Sequence, residues 1–467
     1  MTLQPPISHY LLTAEQSREV DRRTIGETGI PSFTLMEVAG SSAAESILTK
    51  EGNLSHGLYL CGKGNNAGDA LVVARYLCEH ETAATVVFLS GTDNLSADAQ
   101  KNRQLLHEFA GNQLQEVNSW DSFDRSASYD FIVDGMLGTG LNSDLRGDYH
   151  QAVQWANEQS TPVFAMDIPT GLHADSGQMM GTAIRAARTF TFGGRKLGLY
   201  LQDGPGYTGT LTYCQLPFPT KFKANCGTYL LDESWIEPKA QKPGRHKYDS
   251  GVLYIIAGSE GLTGAAIMAA RSAWAEGLGA AILVCPRGLL SVYEHSLPAI
   301  IKKPVGNSAD LYFTEKHLRE VQNITGQKEG SLLFGPGLGR NEETIQFTDQ
   351  FLSQNTQNIV IDADGLWCLA QLESWTRPAG VRWVLTPHPG ELARLTKQPI
   401  TSDYSRLDYV KKLSSEQEIT VLSKGMPGIV GTSTGKSYIT NYNTRYFARA
   451  GSGDVLAGKV GAYQALG

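Results

Sequence analysis

Gly451-Ser452-Gly453-Asp454-Val455-Leu456-Ala457-Gly458 sets three small residues ahead of a carboxylate and an apolar helical pattern. Small residues let backbone N–H groups crowd an anion, and a helix starting at Asp454 adds its positive dipole end. A carboxylate so placed stands where a phosphoryl group meets an attacking hydroxyl, the position of a base that takes the alcohol proton. The other reading of the same letters is a Gly-rich loop with Asp454 as a plain N-cap.

Further segments of the second half carry groups for the same chemistry. Gly258-Ser259 precedes a small-residue helix start at Gly264-Ala265-Ala266, and Gly335-Pro336-Gly337-Leu338-Gly339 follows the apolar run Ser331–Phe334. Asp362-Ala363-Asp364-Gly365, Thr386-Pro387-His388-Pro389-Gly390-Glu391 and Lys424-Gly425 each follow a strand candidate. Taken singly, His388 reads as a hydrogen-bonded histidine between prolines and Lys424 as a solvated loop lysine. Together, acids, a histidine, a lysine and two Gly-rich loops at strand ends compose a pocket for a nucleotide and an alcohol.

The first half has its own series. Cys61-Gly62-Lys63-Gly64-Asn65-Asn66-Ala67-Gly68-Asp69 follows one strand and opens a helix whose N-terminus offers unpaired N–H groups to a phosphate. This is not the G-x-G-x-x-G fingerprint, and its amides and carboxylate suit contacts to a ligand or cation. Asp134 ends another strand ahead of Gly138-Thr139-Gly140, and Asp167 opens Asp167-Ile168-Pro169-Thr170-Gly171. One carboxylate at a strand end is ordinary turn chemistry; three at one sheet edge suggest a site.

The elements that hold these groups are legible as alternation. Leu58–Cys61, Thr85–Leu89, Tyr129–Asp134 and Pro162–Asp167 read as buried strands, and Ala67–Glu79, Asp98–Ala110 and Asp148–Asn157 as helices between them. Such repetition predicts a parallel sheet covered on both faces, with ligands outside the carboxyl ends of its strands. Prolines and lysines between Pro217 and Arg245 interrupt the pattern as an interdomain segment. A second series follows, with strands at Val252–Ala257, Ala281–Cys285, Ser331–Phe334, Asn358–Asp362, Trp383–Thr386 and Ile419–Ser423 and a helix near Gly264–Gly277. A chain of 467 residues exceeds one core, so two different α/β domains are expected.

Composition narrows the partners. A net charge of −7 argues against nucleic acid as a main partner. The six cysteines, Cys61, Cys78, Cys214, Cys226, Cys285 and Cys368, form no C-x-x-C pair and suit a reducing compartment as buried small hydrophobes. No window approaches the roughly 18 apolar residues of a membrane helix, and Met1–Tyr10 lacks signal-peptide character. The expectation is a cytoplasmic protein acting on small molecules, with no membrane partner.

Leu35-Met36-Glu37, Cys61–Asp69, Asp134–Gly140 and Asp167–Gly171 resemble the NAD(P)H-hydrate epimerase family, across about residues 10–215. The resemblance implies a Rossmann-like three-layer domain, residues 1–218, that interconverts the R and S epimers of hydrated NADH or NADPH. It implies that Asn65, Asn66, Ala67, Gly68 and Asp69, with Gly138, Thr139, Gly140, Leu141, Asn142, Ser143 and Asp144, contact the dinucleotide. It further implies potassium on Asn66, Asp134 and Thr170, and acid–base work at the ring by Asp167. From about residue 245 onward, the Gly-Pro-Gly-Leu-Gly, Pro-His-Pro-Gly-Glu and Gly-Ser-Gly-Asp-Val-Leu-Ala-Gly runs resemble the ADP/ATP-dependent NAD(P)H-hydrate dehydratases, with a ribokinase-like fold over residues 225–467. By that resemblance Asp454 is the base, and Ala265, Gly339 and His388 face the hydrate with it. Lys424, Gly425, Met426, Pro427 and Gly428, with Gly451, Ser452 and Gly453, border ADP or ATP, and magnesium bridges the phosphates. Relatives tend to assemble as homo-oligomers.

The chain departs from both patterns. Ala67 and Ala70 replace two glycines of the epimerase loop, at a cost on the order of 1 kcal/mol wherever positive φ is required. Thr170 replaces a serine and keeps the hydroxyl. Gly428 replaces a threonine, and Thr444–Ala450 replaces a Gly-rich approach to the final motif, with bulky and charged residues that crowd the nucleotide or contact its phosphates. The family normally continues past the helix that here ends at Gly467, so the second domain is expected to be C-terminally incomplete, exposing apolar surface at about 25 cal/mol per Å². The competing readings are a small-alcohol kinase joined to a nucleotide-binding regulator, and a degenerate binding module.

Overall fold

Unbroken apolar runs such as Leu58-Tyr59-Leu60-Cys61 and Leu253-Tyr254-Ile255-Ile256 have no polar face to show water, and each becomes a strand buried on both sides. The computed structural model describes residues 6–52, 54–223, 226–235, 250–442 and 445–467. Thr444 and the stretch 236–249 of the expected interdomain segment lie outside the described residues. Two compact units are present: Met1–Leu230 with Ser402–Tyr404, and Leu231–Thr401 with Ser405–Gly467.

In the first unit, seven strands form one parallel sheet: β1 (His56–Cys61), β2 (Ala83–Phe88), β3 (Leu114–Val117), β4 (Phe131–Gly135), β5 (Val163–Met166), β6 (Arg188–Phe192) and β7 (Thr210–Cys214). Their order is β3-β2-β1-β4-β5-β6-β7, so the winding direction reverses between β1 and β4. Helices α1 (Ala14–Thr28), α2 (Ser32–Lys50), α3 (Asn65–Cys78), α4 (Ala97–Ala110) and α5 (Gly147–Glu158) belong to this unit. Leu58, Leu60, Ile132, Val153, Ala156 and Val163 make one core cluster between β-strands and α5. Helix α1 begins with a capping box, Thr13 with Gln16, and stops at Gly29 in the left-handed conformation.

The second unit repeats the logic with other residues. Strands β8 (Val252–Ile256), β9 (Ala280–Pro286), β10 (Ile301–Val305), β11 (Ser331–Phe334), β12 (Ile359–Ile361), β13 (Trp383–Leu385) and β14 (Thr420–Ser423) are parallel, and β15 (Ile429–Gly431) and β16 (Ser437–Thr440) continue antiparallel. The order β16-β15-β14-β13-β12-β11-β8-β9-β10 reverses between β8 and β11. The site-bearing helices are α6 (Thr263–Ala275), α7 (Asp364–Gln371), α8 (Pro389–Thr396) and α9 (Ser452–Leu466). Helices α6 and α9 pack through small residues: Ala266, Ala269, Ala270 and Ala273 share a core cluster with Ala457 and Ala462. The missing side chain of Gly458 makes this approach possible, because a Cβ there would lie 2.1 Å from Ser272 Oγ and 2.2 Å from the Ala269 carbonyl oxygen.

All six cysteines are buried, as their spacing predicts. Burial pushes the thiols of Cys214, Cys285 and Cys368 up to about 12 and that of Cys78 to about 11. Among the described residues no helix is long and apolar enough to cross a membrane.

Candidate active sites

Ligands of doubly wound sheets sit at the carboxyl edge where strand order reverses. In the first unit that edge holds a cavity of about 540 Å³. Asn65, Asn66 and Asp69 reach it from α3, Gly138–Asn142 from the loop after β4, Asp167 from the end of β5, and Lys196 from a two-residue strand, Arg195–Lys196, that follows β6 and pairs with Leu11–Leu12. Four predicted contacts do not line it. Ala67 and Gly68 belong to the first turn of α3 but are buried in the interior, and Ser143 and Asp144 lie further along their loop, Asp144 beside Gly181.

The alanines that replace glycines need no strained backbone. Ala67 and Ala70 are helical, neither has positive φ, and both are fully buried. The close approach is managed by the partner instead: a Cβ on Gly135 would lie 2.5 Å from Ala70 Cβ. The anticipated cost at these positions is therefore absent.

Asp134 ends β4 fully buried. Its Oδ1 accepts from the Thr170 hydroxyl at 2.6 Å and from Met136 N–H at 3.2 Å, and its Oδ2 accepts from Thr170 N–H at 2.8 Å. Burial raises its carboxyl to about 6 in spite of these bonds. Asn66 Nδ2 donates to the Leu137 carbonyl at 3.2 Å, and the Thr170 hydroxyl lies 3.1 Å from the same oxygen. Asn66, Asp134 and Thr170 thus meet around Leu137, an all-oxygen set of carboxylate, hydroxyl, amide and carbonyl donors that fits a hard monovalent cation.

Asp167 takes a left-handed backbone, φ 66°, at the strand end. Its Oδ1 accepts from Phe192 N–H at 3.1 Å and forms a short ion pair with Lys196 Nζ. Lys196 is itself buried and donates to the Phe192 carbonyl at 3.0 Å. Three more carboxylates share the cavity, Asp21, Asp69 and, from the first turn of α4, Asp98. Enclosure and the Asp167 charge push Asp69 well above the ordinary range, and burial raises Asp21, from α1, to about 6 against the pull of Lys196. Sequence reading gave Lys196 and Asp21 no role. The rule that found Asp134 and Asp167 applies equally to Phe192-Gly193-Gly194-Arg195-Lys196, a strand end followed by two glycines, whereas Asp21 lies mid-helix with no such mark.

In the second unit five strand ends converge. The helix at the phosphoryl motif starts at Ser452, with Gly451 as N-cap at φ 86° and no side-chain cap. Asp454 is therefore the third residue of the first turn, and the N-cap reading of it is wrong. Its carboxyl is raised to about 6, by burial first and the Asp362 charge second, with Lys424 opposing. Lys424 Nζ donates to Asp362 Oδ1 at 2.6 Å and stands 3.8 Å from Glu391 Oε2. A Cβ on Gly453 would come within 3.4 Å of that Nζ, which places the lysine beside the loop. Asp362 is buried at the end of β12; its Oδ1 also accepts from Thr386 Oγ1 at 2.8 Å, while its Oδ2 has no partner among the described residues.

His388 does what its bland reading says and keeps a second face. Its Nδ1 accepts from Gly390 and Glu391 N–H groups as the N-cap of α8, in a capping box with Glu391. Nε2 remains 3.5 Å from Glu391 Oε1, and burial with the nearby Lys424 charge lowers the ring's proton affinity. Gly339 N–H donates to Asp364 Oδ2 at 3.1 Å, and the chain around it passes close to Ser259 and Ala265 at the β8/β11 reversal. The Lys424–Gly428 loop is held from behind by buried Arg406, whose guanidinium donates to the carbonyls of Lys424 (3.0 Å) and Pro427 (2.5 Å). Gly428 N–H donates to Thr440 Oγ1 at 2.8 Å. Tyr446 and Phe447 are largely exposed rather than packed into the unit. The sequence marked Asp362, Asp364 and Glu391 as strand-end acids without a role; their links to Lys424, Gly339 and His388 are visible only in three dimensions.

The comparisons agree with this division. The family described as YjeF-related protein N-terminus matches residues 32–198, and the NAD(P)H-hydrate dehydratase family matches residues 253–466. A bifunctional NAD(P)H-hydrate repair enzyme of Salinibacter ruber is 34% identical, across 100% of this chain and 89% of the relative. One of Moorella thermoacetica is 32% identical, across 96% and 87%. Among solved structures, the chain is similar to an ADP/ATP-dependent NAD(P)H-hydrate dehydratase of Bacillus subtilis co-crystallised with ATP and magnesium, at 22% identity and TM-score 0.41, covering 48% of this chain and 76% of that one. With both halves matched in order and nearly the whole length of the relatives covered, the chain belongs to the family of bifunctional NAD(P)H-hydrate repair enzymes.

Proposed function

We propose that this chain repairs hydrated NADH and NADPH, its first unit interconverting the R and S hydrates and its second dehydrating the S form at the expense of ADP or ATP. The observation that carries the reading is Asp454, a half-buried carboxylate in the first turn of an uncapped helix, beside the Lys424–Asp362 pair and the Gly451–Gly453 loop. Hydroxide is a poor leaving group. Asp454 takes the proton of the hydrate hydroxyl as its oxygen attacks the terminal phosphorus, the N–H groups of Gly451, Ser452 and Gly453 hold the phosphoryl charge, and loss of phosphate then restores the ring double bond. Lys424–Gly428 border the nucleotide, while Ala265, Gly339 and His388 face the hydrate. Magnesium supplies neutralisation of the phosphate charge when bound, and the unpartnered Asp362 Oδ2 is an oxygen donor suited to it.

In the first unit, Asn65, Asn66, Asp69 and Gly138–Asn142 hold the dinucleotide, with Arg18 and Lys63 in the cavity wall to meet its phosphates. Asn66, Asp134 and Thr170 hold potassium, and Asp167 works at the ring. The chain acts in the cytoplasm as a homo-oligomer; six buried cysteines with no C-x-x-C pair among them suit a reducing compartment.

The test supplies mixed-epimer NADH hydrate with potassium, magnesium and ADP or ATP and follows the reduced-nicotinamide absorbance. Complete recovery faster than spontaneous epimerisation is the expected result. Recovery of one epimer's share would remove the epimerase half of the reading, and stable accumulation of a phosphorylated product would replace repair with a kinase.

A further inference from the structure

The epimerase reading names one group at the ring, Asp167, yet moving a proton off one atom and onto another takes two. The cavity offers the rest. Helix α1 turns one face toward it, Ser17, Arg18, Asp21 and Ile25, spaced as one side of a helix. Asp21 is the carboxylate of that face, and it lies ahead of the residues that the N-terminal family matches. Lys196, fixed by the Phe192 carbonyl and with almost no exposed surface, is bonded to Asp167 Oδ1. The ammonium and both carboxylates line one cavity, and each is near enough for its charge to act on the others.

We propose that Asp21 is the acid that works opposite Asp167 and that Lys196 is the positioning residue that aims the Asp167 carboxylate at the hydrated carbon. The inference rests on the epimerase reading of this cavity. The hydrated carbon bears both the hydroxyl and the ring nitrogen, so its epimers interconvert as hemiaminals do. Asp167 takes the hydroxyl proton, the carbon–nitrogen bond breaks with its electron pair passing to nitrogen, and nitrogen takes a proton from Asp21. The resulting carbonyl turns. Nitrogen then adds to its other face, returning a proton to Asp21, while oxygen takes back the proton from Asp167. Nothing is oxidised, reduced or consumed. Burial that lifts the Asp21 carboxyl to about 6 brings it toward the working pH, where proton donation and recovery are both efficient.

The experiment uses the full chain and a single hydrate epimer without nucleotide, so that only epimerisation is read, with the second epimer followed by chromatography. Asp21→Asn and Lys196→Met are each expected to lower kcat by about 100-fold or more while KM moves by less than about threefold. Asp21→Glu and Lys196→Arg, which keep the carboxyl and the cation, should recover a large part of the loss. Retention of wild-type kcat by Asp21→Asn overturns the acid, as does a Glu variant no better than Asn. A larger fall in Asp69→Asn than in Asp21→Asn moves the acid to Asp69 and overturns the assignment. Lys196→Met with unchanged kcat, or Lys196→Arg no better than Met, overturns the positioning role. A wild-type chain that does not interconvert the epimers overturns the epimerase reading itself, a result distinct from all of these.

Discussion

At Asp454 the environment and the chemistry pull together. A carboxyl held at about 6 instead of 3.8 is a stronger base once ionised, and it loses that state as pH falls through 6. Dehydration should therefore show an acid limb in kcat/KM near pH 6, and Asp454→Asn should cut dehydration by about 100- to 10,000-fold while leaving epimerisation intact; a pH–rate series and paired assays check both. The sign for stability is opposite. The folded state binds this proton more tightly than the unfolded chain between 3.8 and 6, so the group's contribution to stability declines as pH rises through that window. Asp454→Asn should consequently leave Tm unchanged or higher at neutral pH, as thermal melts will show. Thr170→Ala removes a hydroxyl bonded to Asp134 at 2.6 Å and should raise the potassium needed for half-maximal epimerisation. Asp134, Asp167 and His388 stood out in the letters because each follows an apolar run, and Asp454 because three small residues precede it and an apolar helical pattern follows. Lys196, the partner of Asp167, did not, since an ion pair across 29 residues has no periodic trace.

At the scale of elements, the parallel strands were legible where they were unbroken apolar runs: Ser331–Phe334 appears with the bounds read from the letters, and others differ by a few residues. Strands β3, β6 and β7 of the first unit and β10, β15 and β16 of the second were missed. Leu114-Gln115-Glu116-Val117 is short and half-polar at an edge, and Arg188-Thr189-Phe190-Thr191-Phe192 gains its buried threonines only from neighbours in the sheet. Helices α1 and α2 also escaped, although Thr13-x-x-Gln16 is a readable capping box. The α6–α9 contact carries the sharpest prediction at this scale. Gly458→Ala forces a methyl against Ala269 backbone and Ser272, and overpacking of this kind costs about 1–3 kcal/mol. Because α9 begins at the Gly451–Gly453 loop, the same variant should lower dehydration; denaturant unfolding and the coupled assay measure the two effects.

For the molecule as a whole, two compact units imply two stabilities. Calorimetry should show ADP or ATP raising one transition selectively, by about 2.7 kcal/mol at a hundredfold excess over Kd, with the other unmoved; a uniform rise would argue against nucleotide binding confined to the second unit. The division into two α/β units was legible from the break in strand–helix alternation, whereas nothing in the letters reports the reversal points that gather each site. The six enclosed thiols have a practical consequence as well. An alkylating dye finds no reactive sulfur on the native surface, so a cysteine introduced at exposed Ala127, or at exposed Gln327, would be the single labelled atom without any native cysteine being removed. With both introduced, a fluorescent pair would record, molecule by molecule, whether the two halves work in step while one damaged cofactor passes from the first chemistry to the second.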